Sequence, residues 1–524
     1  MAIDLEQEIQ RRVREYEENL RLRLGLRKRE FQHFKRPKEL PFTARERHDT
    51  TILFGGLTLS HEHLIKGALE GLGYRTEYLP CPDIESLAVG KEYGNRGQCN
   101  PTYFTVGNLV KYLIHLREKG VKDIERRYLF ITAGSCGPCR FGMYEAEYRK
   151  ALRDAGFNDF RVLLFQQSGG LNQSGDEAGL KMDKDFFFGI LKGMVVGDLL
   201  NSLGYKIRPY EIRPGETDRV LSQAREVMYQ TFKERTSIIS GLRRVKRMFE
   251  GIEVDFIRVK PKVKIIGEFW AQTTEGDGNY HLMRWLEEEG AEVITEPIGT
   301  WIGYLIWSAM HYTRERLWIK PDRLGLGDSR PLKRMALLML AKLLFEGHYN
   351  AYRAALGFVP DPLPPMGRLA RYAKDYYNTH LEGGEGHLEV GKNIMAFLHK
   401  KAHMVISVKP FGCMPSTQSD GVQSKVVTDF KDIIFIPIET SGDGEINVKS
   451  RIQMKLYEAK KRAREEFERV LKRCGVTLEE VRRFADAHPK LKNPMRRLPH
   501  KEVGTAANFL LDVAPKMRWP WISL

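Results

Sequence analysis

The chain has 524 residues, enough for two to four packed domains, and its composition (42% hydrophobic, 29% charged) is that of a soluble globular protein. Six cysteines in so long a chain exclude a disulfide framework and fit a reducing cytoplasm, while no run approaches about 18 consecutive apolar residues, so a membrane span is not expected. The net charge of +16 favours anionic partners, but no helix-turn-helix, finger or RNA-binding signature is present, so nucleic acid is not expected.

The chain begins MAIDLEQEIQRR, acidic and amphipathic, unlike a secretory signal. Residues 3–35 read as one charged helix, with Leu5, Ile9, Val13, Tyr16 and Leu20 forming an apolar stripe. Such a stripe packs on its own domain or serves as a docking or dimerisation arm, and we take 1–45 as an N-terminal helical arm. Next comes an alternation. Strands are predicted at 50–56, 75–80, 127–134 and 160–167, and helices at 61–72, 101–120 and 143–156. Apolar strands alternating with helices imply parallel pairing and a doubly wound α/β sheet. Residues 184–250 read as mostly helical, closing a first lobe over 46–250. The alternation restarts with strands at 263–269 and 291–297. A helix-rich insert over 300–401 is broken at 357–367, and strands follow at 404–410 and 432–439. This second lobe spans 263–445, and a basic helix over 446–473 opens a C-terminal helical region, 446–524.

Four cysteines lie in Gly/Pro-rich turns: Cys99 in GQCNP, Cys136 and Cys139 in SCGPC, and Cys413 in FGCMP. In open α/β sheets sites form beyond the carboxyl ends of strands, and Cys136 and Cys413 each follow a strand, one per lobe. Cys99 directly precedes a helix N-terminus, where the dipole and free N–H groups favour a thiolate. Cysteine-only ligation suits zinc or an iron–sulfur cluster. Zinc commonly uses two local knuckles, and only one pair is local here, so the balance favours iron–sulfur. Arg140 and Lys409 flank the motifs and would stabilise an electron-rich cluster. A lone CxxC also occurs in thioredoxin-like redox pairs, but the usual aromatic residue ahead of it is missing. Cys81, in LPCPD, is a candidate fifth thiolate, and Cys474 reads as structural. The stretch GHLEVGKN (386–393) nearly matches a phosphate-binding loop, yet what precedes it looks helical rather than strand-like, so ATP is expected on a separate chain.

At these motifs the chain resembles the 2-hydroxyacyl-CoA (2-hydroxyglutaryl-CoA) dehydratase family, and more closely the dehydratase-like module of activase-related proteins. The matching stretches are GQCNP (97–101), TAGSCGPCRFGMYEAEYRKAL (132–152), IGEFW (266–270), GEGHLEVG (384–391), VKPFGCMPS (408–416) and IPIETSGDGEINVKSRIQ (436–453). The resemblance implies two Rossmann-like lobes with a [4Fe–4S] or double-cubane cluster between them, held by Cys99, Cys136, Cys139 and Cys413. It also implies an ATP-hydrolysing activase as electron donor, an acyl-CoA substrate and an oligomeric, anaerobic enzyme. In the dehydratases the donated electron makes a ketyl radical anion of the thioester, which expels the hydroxyl group. They use about three cysteines per subunit, and this chain offers four. Three thiolates leave an iron open to act as a Lewis acid; four saturate the cluster and leave electron transfer. Catalytic residues stay unassigned. Glu268, Glu385, Asp420 and Asp443 are candidates by position only, each equally readable as a cap or a solvated carboxylate.

The function expected is therefore an iron–sulfur protein that takes low-potential electrons from the activase and passes them to an acyl-CoA-type substrate or partner, as a lyase or a reductase component. The alternatives are a non-catalytic zinc- or cluster-bearing scaffold for anionic partners, and a reductase of a small substrate without CoA.

Overall fold

The computed structural model describes residues 2–25, 41–135, 139–166, 170–171, 179–316, 330–381 and 383–518. Met1–Leu40 form one compact unit and Pro41–Leu524 another. In the first, α1 (Ala2–Arg23) takes up most of the stretch expected to be helical.

The second unit contains two α/β lobes. The first runs β1 (Thr51–Phe54), α2 (Leu59–Gly71), β2 (Arg75–Tyr78), α3 (Ile84–Tyr93), α4 (Asn100–Glu118), α5 (Ile124–Arg127), β3 (Tyr128–Gly134), α6 (Tyr144–Asp154), β4 (Arg161–Gln166) and β5 (Gly170–Leu171). Its sheet has the order β2-β1-β3-β4-β5, parallel apart from the short antiparallel β5. The helices α7 (Lys184–Ile207), α8 (Glu216–Lys233) and α9 (Ile238–Phe249) follow. The second lobe runs β6 (Lys262–Gly267), α10 (Phe269–Thr273), α11 (Leu282–Glu288), β7 (Glu292–Ile294), α12 (Ile298–Arg316), α13 (Arg330–Ala355), α14 (Met366–Ala373), α15 (His387–Leu398), β8 (Met404–Pro410), α16 (Met414–Asp429) and β9 (Ile434–Thr440). Its sheet is wholly parallel, in the order β7-β6-β8-β9. The chain closes with α17 (Glu445–Cys474), α18 (Leu478–Ala487) and α19 (Thr505–Arg518).

The central strands β1, β6 and β8 are short, largely apolar and mostly buried, as strands covered by helices on both faces must be, whereas the edge strand β2 is polar and half exposed. Val263, Ile265, Met404, Ile406, Ile434 and Ile436 fill the second lobe's core. Val448, Ile452, Leu456 and Ala459 complete that core, so the first half of α17 covers the second sheet. Val195, Leu199 and Leu203 of α7 centre a separate helical core with α8, α9, α13 and α19. By length and composition α7 is the one helix among the described residues able to cross a membrane. Its Asp198 is buried and accepts hydrogen bonds from the backbone N–H groups of Ile298 (2.7 Å) and Gly299 (2.8 Å) at the start of α12. His61 of α2 lies 3.1 Å from the same carboxylate, so α7 ties a helix of the first lobe to one of the second.

The helix that carries Cys99 is placed by a tight crossing. A Cβ added at Gly107 of α4 would lie 1.8 Å from Ser86 O, and one at Gly90 of α3 would lie 1.9 Å from Tyr103 O. The two backbones therefore touch, and only glycine permits it at both positions. Replacement Gly107→Ala must push α3 away from α4. It should lower stability by about 2–3 kcal/mol, the upper range of overpacking, measured by urea unfolding. An unchanged midpoint would mean the crossing relaxes freely.

Candidate metal centre

Cys99 is the N-cap residue of α4 and is buried. Its Sγ lies 3.2 Å from Thr102 Oγ1 and 3.1 Å from the Tyr144 hydroxyl of α6. The turn ahead of it is held by buried Glu147, which accepts from Asn95 N (3.1 Å) and Gln98 Nε2 (3.0 Å). Pro101 sits in the first turn of α4, where its missing N–H costs nothing.

Cys413 is the N-cap residue of α16, just beyond β8, and is also buried. Gly412 takes φ +78°, a left-handed conformation that favours glycine. A Cβ there would stand 3.4 Å from the Cys99 Cα and 3.8 Å from its Cβ. The two cysteine turns thus lie against one another, one from each lobe. Asn100 fastens them: its backbone N–H donates to Phe411 O (3.1 Å) and its side chain to Thr440 O (3.0 Å). Cys413 is set from the other side by α15. Ser416 and Ser419 of α16 donate to the two carboxylate oxygens of buried Glu389 at 2.8 and 2.7 Å.

Cys139 caps the short turn Arg140–Met143 that leads into α6. Arg140 donates to the carbonyl of Gly97, joining this turn to the one that bears Cys99. Burial, with the charges of Glu268 and Glu385 acting in the same sense, raises the Cys139 thiol to about 12. Burial and the same two carboxylates push Cys413 up as well. A free thiol in this setting stays protonated and is a poor nucleophile, whereas a bound metal would deprotonate it. Cys136 lies outside the described residues.

Glu268 caps α10 at the carboxyl end of β6, accepting from Ala271 N at 2.8 Å, and burial raises its carboxyl. Glu385 lies just ahead of α15; burial, then the charges of Glu268 and Glu389, raises it strongly. Beside it lies a narrow cleft of about 10 Å³, lined in part by Phe269, Gln272, Glu296, Trp301, Glu385 and Lys392. Gln272 is buried and its Oε1 has no hydrogen-bonding partner. Glu296, from the loop after β7, pairs with Lys264 (2.5 Å) and faces Lys392 (3.9 Å). Burial opposes its ionisation, but these two cations prevail and hold it at about 2. Lys392 belongs to the stretch GHLEVGKN, which forms α15 rather than a phosphate-binding loop.

The remaining sequence candidates fall elsewhere. Cys81 lies after β2 with its Sγ under Gly276, where an added Cβ would meet it at 2.8 Å. Burial and Glu275 push that thiol to about 11, and Glu268 and Glu385 are not among its charged neighbours. Cys474 ends α17 and packs against the helical core. Asp420 pairs with Lys409, so that lysine is held by a carboxylate. Asp443 is exposed and accepts from Ser441 Oγ at 2.6 Å. Asn100, Glu389 and Ser416 position the thiols without having been singled out in the sequence. The only local sign of Asn100 is its place in the first turn after a capping cysteine.

The fold and the site together define a two-lobed α/β protein with buried thiols where the lobes meet. No family model matches the chain, and no curated protein matches it either.

Two outcomes follow from this geometry. Asn100→Ala removes one of the two donors to the buried Thr440 carbonyl, which keeps the Phe411 N–H at 2.9 Å, and should cost about 0.5–1.5 kcal/mol in urea unfolding. A loss too small to measure would show that the seam does not depend on it. For Glu296, the depressed folded value means its stabilisation is complete above the ordinary 4.5 and is lost as pH falls through about 2. Glu296→Gln should therefore destabilise by about 3 kcal/mol at pH 7, with the gap to wild type narrowing below pH 4.5. A gap independent of pH would contradict the ion-pair account.

Proposed function

We propose that this chain is an iron–sulfur protein that binds a [4Fe–4S] or double-cubane cluster through Cys99, Cys136, Cys139 and Cys413. In this reading it receives low-potential electrons from a separate ATP-dependent activase and passes them to an acyl-CoA-type substrate or partner, in a reducing compartment such as the cytoplasm. The observation that carries the reading is the meeting of the Cys99 and Cys413 turns, each at the N-terminus of a long helix. Cys139 shares two buried carboxylate neighbours with Cys413.

The chemistry of the donors supports a cluster over a single zinc ion. Zn–S bonds of about 2.3 Å place the thiolates of one tetrahedral ion roughly 3.8 Å apart. Among the described residues, Cys99, Cys139 and Cys413 do not gather within 4.8 Å of one another. The helix N-termini at Cys99 and Cys413 direct backbone N–H groups and positive dipole ends toward the thiolates, which favours an anionic cluster. When bound, such a group supplies one-electron reduction at low potential.

The protein's own residues would exclude water from the thiols, through Tyr144 and the closed turns, and keep protons close by on Glu268 and Glu385. The net charge of +16 would draw in the phosphates of a CoA ester or an acidic electron donor.

Anaerobic purification with iron and sulfide analysis tests the proposal. About four irons per chain for one cubane, with brown colour, is the expected result. Cys99→Ser and Cys413→Ser should abolish loading. Cys139→Ser distinguishes the two ligation patterns: full loading leaves three thiolates and an open iron, and loss of loading makes four. A colourless protein whose single zinc is lost in Cys99→Ser and Cys413→Ser would overturn the reading.

A further inference from the structure

A second cluster of ligating groups stands apart from the cysteines. His311 and Glu315 lie one turn apart on α12, so their side chains share a face. His380 reaches the same place from the turn after α14. One ligand atom from each of the three falls within 4.8 Å of the others. Glu315 Oε1 is 2.9 Å from His380 Nδ1 and 3.6 Å from His311 Nε2. The two imidazoles meet edge to face, with centroids 4.8 Å apart at 65°.

The arrangement is braced from outside. The Trp307 ring stacks on His311 at 5.1 Å and 10°, fixing the plane of that imidazole. The Tyr312 hydroxyl donates to the carbonyl of His380 and pins its turn to α12. The Nε2 of His311 is buried yet makes no hydrogen bond. A buried ring nitrogen of this kind, turned toward a carboxylate and a second imidazole, lacks an electrophile. It stands 3.6 Å from Glu315 Oε1, within ion-pairing reach but beyond hydrogen-bonding distance.

We propose that His311, Glu315 and His380 form a binding site for a divalent zinc-class ion, separate from the thiols. Two imidazoles and one carboxylate match the donor set of zinc sites that keep a fourth position for water. Glu315 and His380 are exposed, so solvent reaches that position. The ion would clamp the turn at His380 onto α12, a few residues before the loop that brings Glu385 to the cleft. A structural consequence for the neighbouring site therefore accompanies the binding.

The test uses the full chain and zinc itself. Calorimetric titration should find a site that survives Cys413→Ser. His311→Ala, His380→Ala and Glu315→Gln should each weaken it at least about tenfold, since even outer partners of a ligand cost that much. X-ray absorption at the zinc edge should then show a nitrogen and oxygen shell near 2.0–2.1 Å. Circular dichroism confirms that each variant is folded, and Glu315→Gln preserves shape if the alanines are not. Zinc that binds only through a sulfur shell near 2.3 Å overturns the proposal, as does an affinity indifferent to all three substitutions, or no binding at all.

Discussion

The two lobes meet through the first residue of one helix. The backbone N–H of Asn100 is among those a helix cannot satisfy internally, and it is given to Phe411 in the other lobe. The side chain of the same residue takes up the carbonyl at the end of β9. Asn100 is buried, so parting the lobes would strand a donor and an acceptor away from protein partners. The capping cysteines on either side inherit their positions from this bond. Gly412, with φ +78°, lets the second turn come close enough to touch the first.

The charge balance of the interior is unlike that of the chain as a whole. The protein carries a net +16, yet Glu385 and Glu389 are buried, and Glu268 half-buried, near the cysteine turns. Burial raises all three carboxyls, and it raises Cys139 and Cys413 too. Lys264 and Lys392 bring positive charge to the cleft, and Glu296 takes up much of it. Without a cation, the thiol pocket keeps its groups neutral, because ionising any one would place an uncompensated charge in low dielectric. A bound metal would reverse that preference for the thiols.

The helical layer gives the two lobes a common support. Asp198 on α7 caps α12 and contacts His61 of α2, so its carboxylate meets donors from both lobes. Along α12, that capped end lies beside the cleft, and the other end carries His311 and Glu315. One helix thereby joins the cleft to the cluster of His311, Glu315 and His380. Trp307 bridges them further, stacking on His311 and meeting His387 edge-on at 5.2 Å.

Much of the fold was legible in the amino-acid order, since strand and helix follow from local periodicity. The runs at 404–410 and 127–134 became β8 and β3; Cys413 follows β8 as expected, and Cys136, expected beyond β3, lies outside the described residues. The cysteine motifs pointed to a metal because their residue types and turns are local properties. Nothing local marked Asn100 as the bond between lobes, Glu389 as the acceptor that orients Ser416, or His311 and His380 as neighbours. Those relations join residues far apart in sequence, and each needs a pairing of elements that periodicity does not encode. The sequence by itself determined the elements and the chemistry each could bear. Only the tertiary structure decided which of them face one another, because that depends on how the strands order within each sheet and where two helix ends close on a shared seam.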